Sequence, residues 1–539
     1  MQSRYLSLLL PVLGTLFLAS CSSTGGMNHQ MNGGGNGMMQ HGGMMQQSRL
    51  QDTSLLPTQG KDIASLPEAK STETITVADG DTITLNPTIV RKTLNGKEFA
   101  MYGYNGEIPG PLLKVKQGST FTVNVTNNID LPTTVHWHGI RLDNAFDGTE
   151  VTQQAIEPGA SFQYTVKVPD EGIYWYHTHV REDLQQPMGL YGNVLVTPKD
   201  PKAYSAVNQE QVLAVSDLLL DDKGLPVPFN AKTADHTLMG RFGNTMLVNG
   251  MTDYKLNVSK GELVRFYLTN AANTRTFKID FGGAKMKLVG GDNGRYEKEQ
   301  FVNSIILAPS ERAIVDVLFE KPGTYTIMHR TPNTSYPLGT VTVGTASASP
   351  SYTRDFTKLS TNQDVIKDID VFRPFFNKAL DHTLVLDLSM MGNAMMGHGG
   401  MMADVPKDGI EWEDTAGMMN TNSMGTMMQW KMVDQATGAA NKDLVYTAKV
   451  GDKLKIRIIN KKDSAHPMQH PIHFHGQRFL VLSDNGVTNT DLVWKDTVLV
   501  PAGHTVDILL DVSNPGNWMF HCHIAEHLSN GMMGTLRVQ

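Results

Sequence analysis

Three stretches of this chain repeat one pattern: LLKVKQGSTFTVNVTN (112–127), YKLNVSKGELVRFYLTN (254–270) and VYTAKVGDKLKIRIIN (445–460). Each is an alternating apolar–polar run, a turn containing glycine, a second alternating run and a closing asparagine. Alternation with period two marks a strand that buries one face. A second trio follows, IEPGASFQYTVKV, LAPSERAIVDVLF and VPAGHTVDILLDV, and each copy ends alike, in EGIYWYHTH, PGTYTIMHR and PGNWMFHCH. Repeats this long are duplicated domains rather than the short units of a solenoid. The 50 glycines and 25 prolines supply the turns of an all-β chain. The expected architecture is three β-sandwiches at 71–199, 200–346 and 371–539, with GTASASPSYTRDF leading into a linker over 347–370.

The first twenty residues, MQSRYLSLLLPVLGTLFLAS, place one basic residue before an apolar run ending in small residues, the pattern of a signal peptide (1–20). LASC resembles the cleavage box of bacterial lipoproteins. That resemblance implies a lipidated Cys21, with Ser22 at the sorting position, and so an exported lipoprotein on the periplasmic face of the outer membrane. A lone Arg4 offers no twin-arginine signal, so export precedes folding and metal loading. No later stretch supplies ~18 uninterrupted apolar residues, which leaves the lipid anchor as the sole membrane contact. Residues 21–70, rich in Gly, Asn, Gln, Ser and Met, read as a flexible tether. A formal charge of −7 leaves no nucleic-acid footprint.

Ten of the eighteen histidines fall in four motifs. HWHG carries His136 and His138, and YHTH carries His177 and His179. HPIHFHG carries His470, His473 and His475, and HCHIAEH carries His521, His523 and His527. In a strand, residues two apart share a face, so each H-x-H offers two imidazoles to one metal cluster. The same geometry sends Cys522 to the face opposite His521 and His523, so one strand serves two metal sites. The chain has two cysteines, and Cys21 lies at the end of the export segment. No disulfide is therefore expected, and a thiolate among imidazoles suggests a transition metal.

These motifs, first and last in a threefold repeat, resemble the three-domain multicopper oxidases of the laccase and bacterial copper-resistance type. The resemblance covers essentially the whole chain after the tether. It implies cupredoxin-like Greek-key sandwiches and four copper ions. His470, Cys522 and His527 would bind the type 1 ion, with Met532 as weak axial ligand. His136 and His473 would bind the type 2 ion, and His138, His177, His179, His475, His521 and His523 the type 3 pair. The middle copy keeps only His329 of such a motif and is expected to carry no copper ligand. Asp147, eleven residues after His136, matches the family's acidic residue for proton delivery. The glutamate that related bacterial enzymes carry after the last type 1 histidine is Leu528 here, and Glu526 is no obvious substitute. The implied reaction takes single electrons from a substrate and reduces O2 to water.

Methionine clusters at 27–45, 390–402 and 417–428 sit among Gly, Asn and Ser, where no core forms. Thioethers prefer Cu(I), so these read as copper-handling segments, with a low-complexity linker as the alternative. The second and third form a Met-rich insert at 389–432. Met468 lies two residues before His470, where related copper-efflux oxidases place a methionine of a Cu(I) site. Their acidic partner two positions earlier is His466 here. The favoured substrate is Cu(I), in the service of copper tolerance. A laccase oxidising phenols or aromatic amines is the alternative, and a non-catalytic copper store a distant one. A monomer is expected.

Overall fold

The computed structural model describes residues 54–57, 60–390 and 407–539. Cys21, the export segment and the methionine runs at 27–45 and 391–402 lie outside the described residues. The two runs of each repeat form strands that do not pair with each other, because the glycine turn carries the chain from one sheet to the next. In the first copy, one sheet runs Thr74–Val77, Leu112–Lys116, Tyr191–Thr197, Gly172–His177, His136–His138. The last copy keeps the order from the second of these strands onward and adds a strand at the opposite edge, as Val445–Ala448, Met533–Val538, Gly516–Cys522, His470–Phe474, Thr497–Val500. The middle copy does so as Tyr254–Lys260, Ser335–Ser347, Gly323–Arg330, Phe277–Asp280, Ile305–Leu307. A second sheet covers each of these: six strands in the middle and last copies, and in the first a three-stranded sheet beside the hairpin Pro87–Leu94/Lys97–Tyr104. The fold is all-β, in three cupredoxin-like sandwiches with separate apolar cores around Trp137, Phe266 and Trp518.

The closing asparagine of each repeat has a specific task. Asn127, Asn270 and Asn460 are buried. Each donates through Nδ2 to two backbone carbonyls: Leu131 and Ile156, Arg275 and Leu307, Met468 and Val500. One acceptor lies in the loop that follows the asparagine, the other where the next sequence motif begins. The amide therefore fixes the loop that delivers HWHG in the first sandwich and HPIHFHG in the last.

The structure adds detail to three sequence expectations. The tether is not free along its whole length: Ser54–Leu55 pairs with Phe229–Asn230, and Leu55 and Leu56 pack on the first core because they are apolar. The linker 347–370 contains helices Thr353–Phe356 and Gln363–Asp370, the second docked by Arg295–Asp364 and Arg478–Asp368 ion pairs. The limits 389 and 432 of the Met-rich insert fall inside two paired strands, His382–Met390 and Met428–Asp434, whose alternation buries Leu384, Leu386 and Leu388 against Trp430 and Met432. No helix of the described residues is long and apolar enough to cross a membrane.

Asn460→Ala is expected to leave the Met468 and Val500 carbonyls buried without a donor. The copper-free protein should lose about 2–6 kcal/mol, at roughly 1–3 kcal/mol per orphaned group. Urea unfolding measures this, and a change within experimental error would contradict the role.

Candidate metal centre

Strand register sets the centre. His136 lies opposite His177 and His138 opposite Trp175 in the first sandwich, and His473 opposite His521 and Ile472 opposite Cys522 in the last. Alternation then sorts the side chains. Trp137 turns into the core beside Phe121, Tyr164 and Tyr176, while its two histidine neighbours face the last sandwich. The His136 ring lies 4.1 Å from that of His475, and His138 lies 3.8 Å from His473. Eight histidines share this buried cluster. Ligand atoms gather in four groups, His136–His473–His475, His136–His138–His177, His179–His475–His521 and His138–His473–Asp496. His523 joins through ring contacts of 4.9 Å to His138 and 5.2 Å to His177.

A metal-binding imidazole needs one nitrogen anchored and the other free. The Nδ1–H groups of His136, His177, His473 and His521 donate to the backbone carbonyls of Asp147, Thr178, Asp496 and Cys522 at 2.7–2.9 Å. His475 Nδ1 donates to the Asp147 carboxylate at 3.0 Å. The opposite nitrogens of His136, His177, His179 and His473 are buried with no partner among the described residues, and His475 and His521 turn their Nε2 atoms toward each other at 2.9 Å. Burial holds His177, His475, His521 and His523 well below the ordinary imidazole range and His179 at about 3, so the rings are neutral, as ligands must be. This donor set fits a cluster of copper ions.

The opposite face of the same strand builds a second site. Cys522 Sγ lies 3.5 Å from His470 Nδ1 and 3.7 Å from His527 Nδ1, and the two nitrogens are 3.3 Å apart. Ligand atoms bound at roughly 2.0–2.3 Å around one ion have about these separations. Burial pushes the Cys522 thiol up, so a metal must displace its proton. Met532 is fully buried in the same core, its N–H bonded to the His527 carbonyl. This site is roofed. His470 and His527 are 1% and 0% exposed, and the Trp430 ring lies 4.7 and 4.4 Å from them. Trp430 Nε1 donates to Thr237 O. Asn420 and Ser423, in the third methionine cluster, bond the backbone of Leu238, Met239 and Gly240.

The structure places the other expected residues as follows. Asp147 touches both His475 and His136, its Oδ1 3.3 Å from His136 Nδ1. Met468 is fully buried in the apolar core of the last sandwich rather than facing solvent. His466 is 6% exposed, its Nε2 has no partner among the described residues, and burial lowers it to about 4. The insert reaches this region through Glu411 and Gln469, which exchange backbone and amide hydrogen bonds. Met418, Met419 and Met427 are exposed. His329 accepts from the Lys278 N–H and belongs to no metal-ligand group among the described residues. His236 and His504 pair with Asp235 and Asp484.

Three residues, Glu182, Asp496 and Arg312, escaped the sequence reading. Glu182 Oε1 lies 3.0 Å from His179 Nδ1, three residues on, and burial pushes its carboxyl well up. Glu526 instead turns to Asn273 and Thr274 of the middle sandwich. Asp496 accepts from His138 Nε2 at 3.0 Å and pairs with Arg312. Burial opposes its ionisation, yet the guanidinium holds its carboxyl well below the usual range. A signal existed for Asp496: the charged pair in LVWKDTVLV interrupts an otherwise mostly apolar run.

The fold, the eight-histidine cluster and the separate His–Cys–His site together define a copper-dependent oxidoreductase. The chain belongs to the multicopper oxidase family, whose models match residues 87–201, 209–353 and 411–539. It is 27% identical over 445 residues to the multicopper oxidase mco of Staphylococcus aureus, covering 81% of this chain and 83% of that one. It is 25% identical over 584 residues to copper resistance protein A of Escherichia coli, covering 85% and 92%. A solved multicopper oxidase from Campylobacter jejuni, described as a metallo-oxidase, superimposes with TM-score 0.66 at 23% identity over 88% of this chain and 98% of that one.

Replacing Cys522 by Ser is expected to remove the intense visible copper–thiolate absorption while leaving copper in the histidine cluster. A variant that stays blue would refute the second site.

Proposed function

We propose that this enzyme oxidises Cu(I) to Cu(II) and thereby serves copper tolerance. Four Cu(I), one O2 and four protons give four Cu(II) and two waters. The observation that carries this reading is the roof over His470 and His527. Trp430 and the insert leave neither imidazole an exposed edge against which a phenol ring could stack, whereas a single ion needs only donor atoms. His466, within electrostatic reach of His470, and Met468 supply nitrogen and thioether donors of the kind Cu(I) prefers. Exposed Met418, Met419 and Met427 would capture the ion at the surface. The relative named copper resistance protein A supports the same reading.

In this assignment His470, Cys522, His527 and Met532 hold one type 1 copper. His136 and His473 hold type 2, and His138, His177, His179, His475, His521 and His523 hold the type 3 pair. Copper bound there supplies one-electron redox and the reduction of O2. The chain supplies the wiring: Cys522 is bonded through its backbone to His521 and His523, so the two sites are joined covalently. Asp147 orients His475 and His136, and lies where protons for water formation are needed. With Leu528 in place of the family's glutamate, Glu182 is the carboxyl that faces His179. We further propose that the chain is exported and lipidated at Cys21, and works as a monomer on the periplasmic face of the outer membrane.

Met468→Leu is expected to lower Cu(I) oxidation several-fold, read as oxygen uptake, while oxidation of a small phenol holds or rises. Equal loss on both substrates, or none on Cu(I), would favour the laccase reading.

Cys21→Ala should shift the protein from the membrane to the soluble fraction. Mass spectrometry showing an unmodified mature N-terminus elsewhere would refute the anchor.

A further inference from the structure

The middle sandwich contributes nothing to the groups of ligand atoms, yet it sends one buried guanidinium to their edge. Arg312 opens the strand Arg312–Phe319. Its Nη1 donates to Asp496 Oδ1 at 2.7 Å and its Nη2 to Asp496 Oδ2, a two-pronged clamp. Two of its three remaining donors are committed as well. Nε bonds the Ile173 carbonyl of the first sandwich at 2.9 Å, and Nη1 also reaches the Ser310 carbonyl at 3.0 Å. Its backbone N–H is held by Asp292 at 2.8 Å. With every contact fixed, the guanidinium has one orientation, and it imposes one on Asp496.

His138 is the ring that needs this. The imidazoles of His136, His177, His473 and His521 are anchored through Nδ1 by backbone carbonyls, which the strand holds in place. His138 is inverted: its Nε2 donates to Asp496 Oδ1 at 3.0 Å, with Thr497 Oγ1 3.1 Å away, and its Nδ1 is the buried nitrogen left without a partner among the described residues. A side-chain acceptor is mobile unless something fixes it. We propose that Arg312, from the sandwich without copper ligands, is a positioning residue for the histidine cluster: by clamping Asp496 it holds His138 in the tautomer and rotation that turn Nδ1 toward copper. The last letter of HWHG is explained by the same contact. Gly139 has φ +80°, and a Cβ there would lie 2.3 Å from Asp496 Oδ2 and 2.8 Å from Arg312 Nη2, so any other residue would push the clamp away. Ligands come from two sandwiches, but their aim depends on all three.

This inference rests on His138 being a copper ligand, so the experiment separates the two. Full-length holoprotein is titrated with a copper chelator, and bound copper and the visible type 1 absorption are followed together. Arg312→Met should weaken cluster copper by about 10–100-fold, the usual effect of losing such a support, while the midpoint for the type 1 copper stays put. Arg312→Lys keeps the charge but not the fork and should fall between. Should the Met variant fail to fold, the Lys variant reads the same difference. Arg312→Met combined with Asp496→Asn restores a neutral acceptor for His138 and should recover part of the loss. His138→Asn is the control. If it loses cluster copper while both Arg312 variants bind cluster and type 1 copper like the parent, the positioning role is overturned. If His138→Asn itself keeps full cluster copper, the ligand assignment fails instead. A merely structural ion pair would move both midpoints together, which also overturns the proposal.

Discussion

Adjacent residues of a β-strand point to opposite faces, and at His521–Cys522–His523 that constraint joins two metal sites through one short run of backbone. His521 and His523 turn to the buried cluster, and Cys522 turns to His470 and His527. Everything else in the structure serves to bring matching residues to those two faces. The partner strand His470–Phe474 obeys the same alternation: His473 faces the cluster from the position opposite His521, and Ile472 lies opposite Cys522. A register slip of one residue would exchange the faces and destroy both sites at once.

Burying so many imidazoles is costly unless each keeps one hydrogen bond. The fold meets this cheaply where it can, with backbone carbonyls that the strands already hold in place. Elsewhere it uses side-chain acceptors, Asp147 for His475 and Asp496 for His138, and among the described residues His523 has no partner at either nitrogen. Side-chain acceptors in turn need support. Asp496 has it from Arg312, at the meeting point of the three sandwiches. The middle copy thus keeps a role after its own motif has shrunk to His329, whose ring now only accepts a backbone N–H and packs beside Phe277 and Tyr336.

Around the Cys522 site the logic is exclusion. Trp430 packs against His470 and His527, the loop at residues 236–242 reaches His527 through the Leu238 backbone, and the third methionine cluster is fastened to that loop by Asn420 and Ser423. Methionines among glycine and asparagine are therefore not loose decoration throughout: part of that segment is built into the wall of the site, and part, at Met418 and Met419, stands in solvent.

The sequence by itself determined the threefold sandwich, because period-two alternation and glycine turns are local signals that survive in a single strand. It also determined which histidines share a face, since residues two apart in a strand do so wherever the strand ends up. What it left open depends on contacts between residues hundreds of positions apart. The carboxylate of Asp496 reaches His138 across 358 residues and Arg312 across 184, and no periodicity encodes such a meeting. The burial of Met468 and His466, the docking of Leu55 and Leu56, and the roof of Trp430 over the second site were likewise decided only when the sandwiches packed. The physical reason is the same in each case: strand pattern fixes the direction of a side chain, whereas its partner and its exposure are set by which surfaces the tertiary fold presses together.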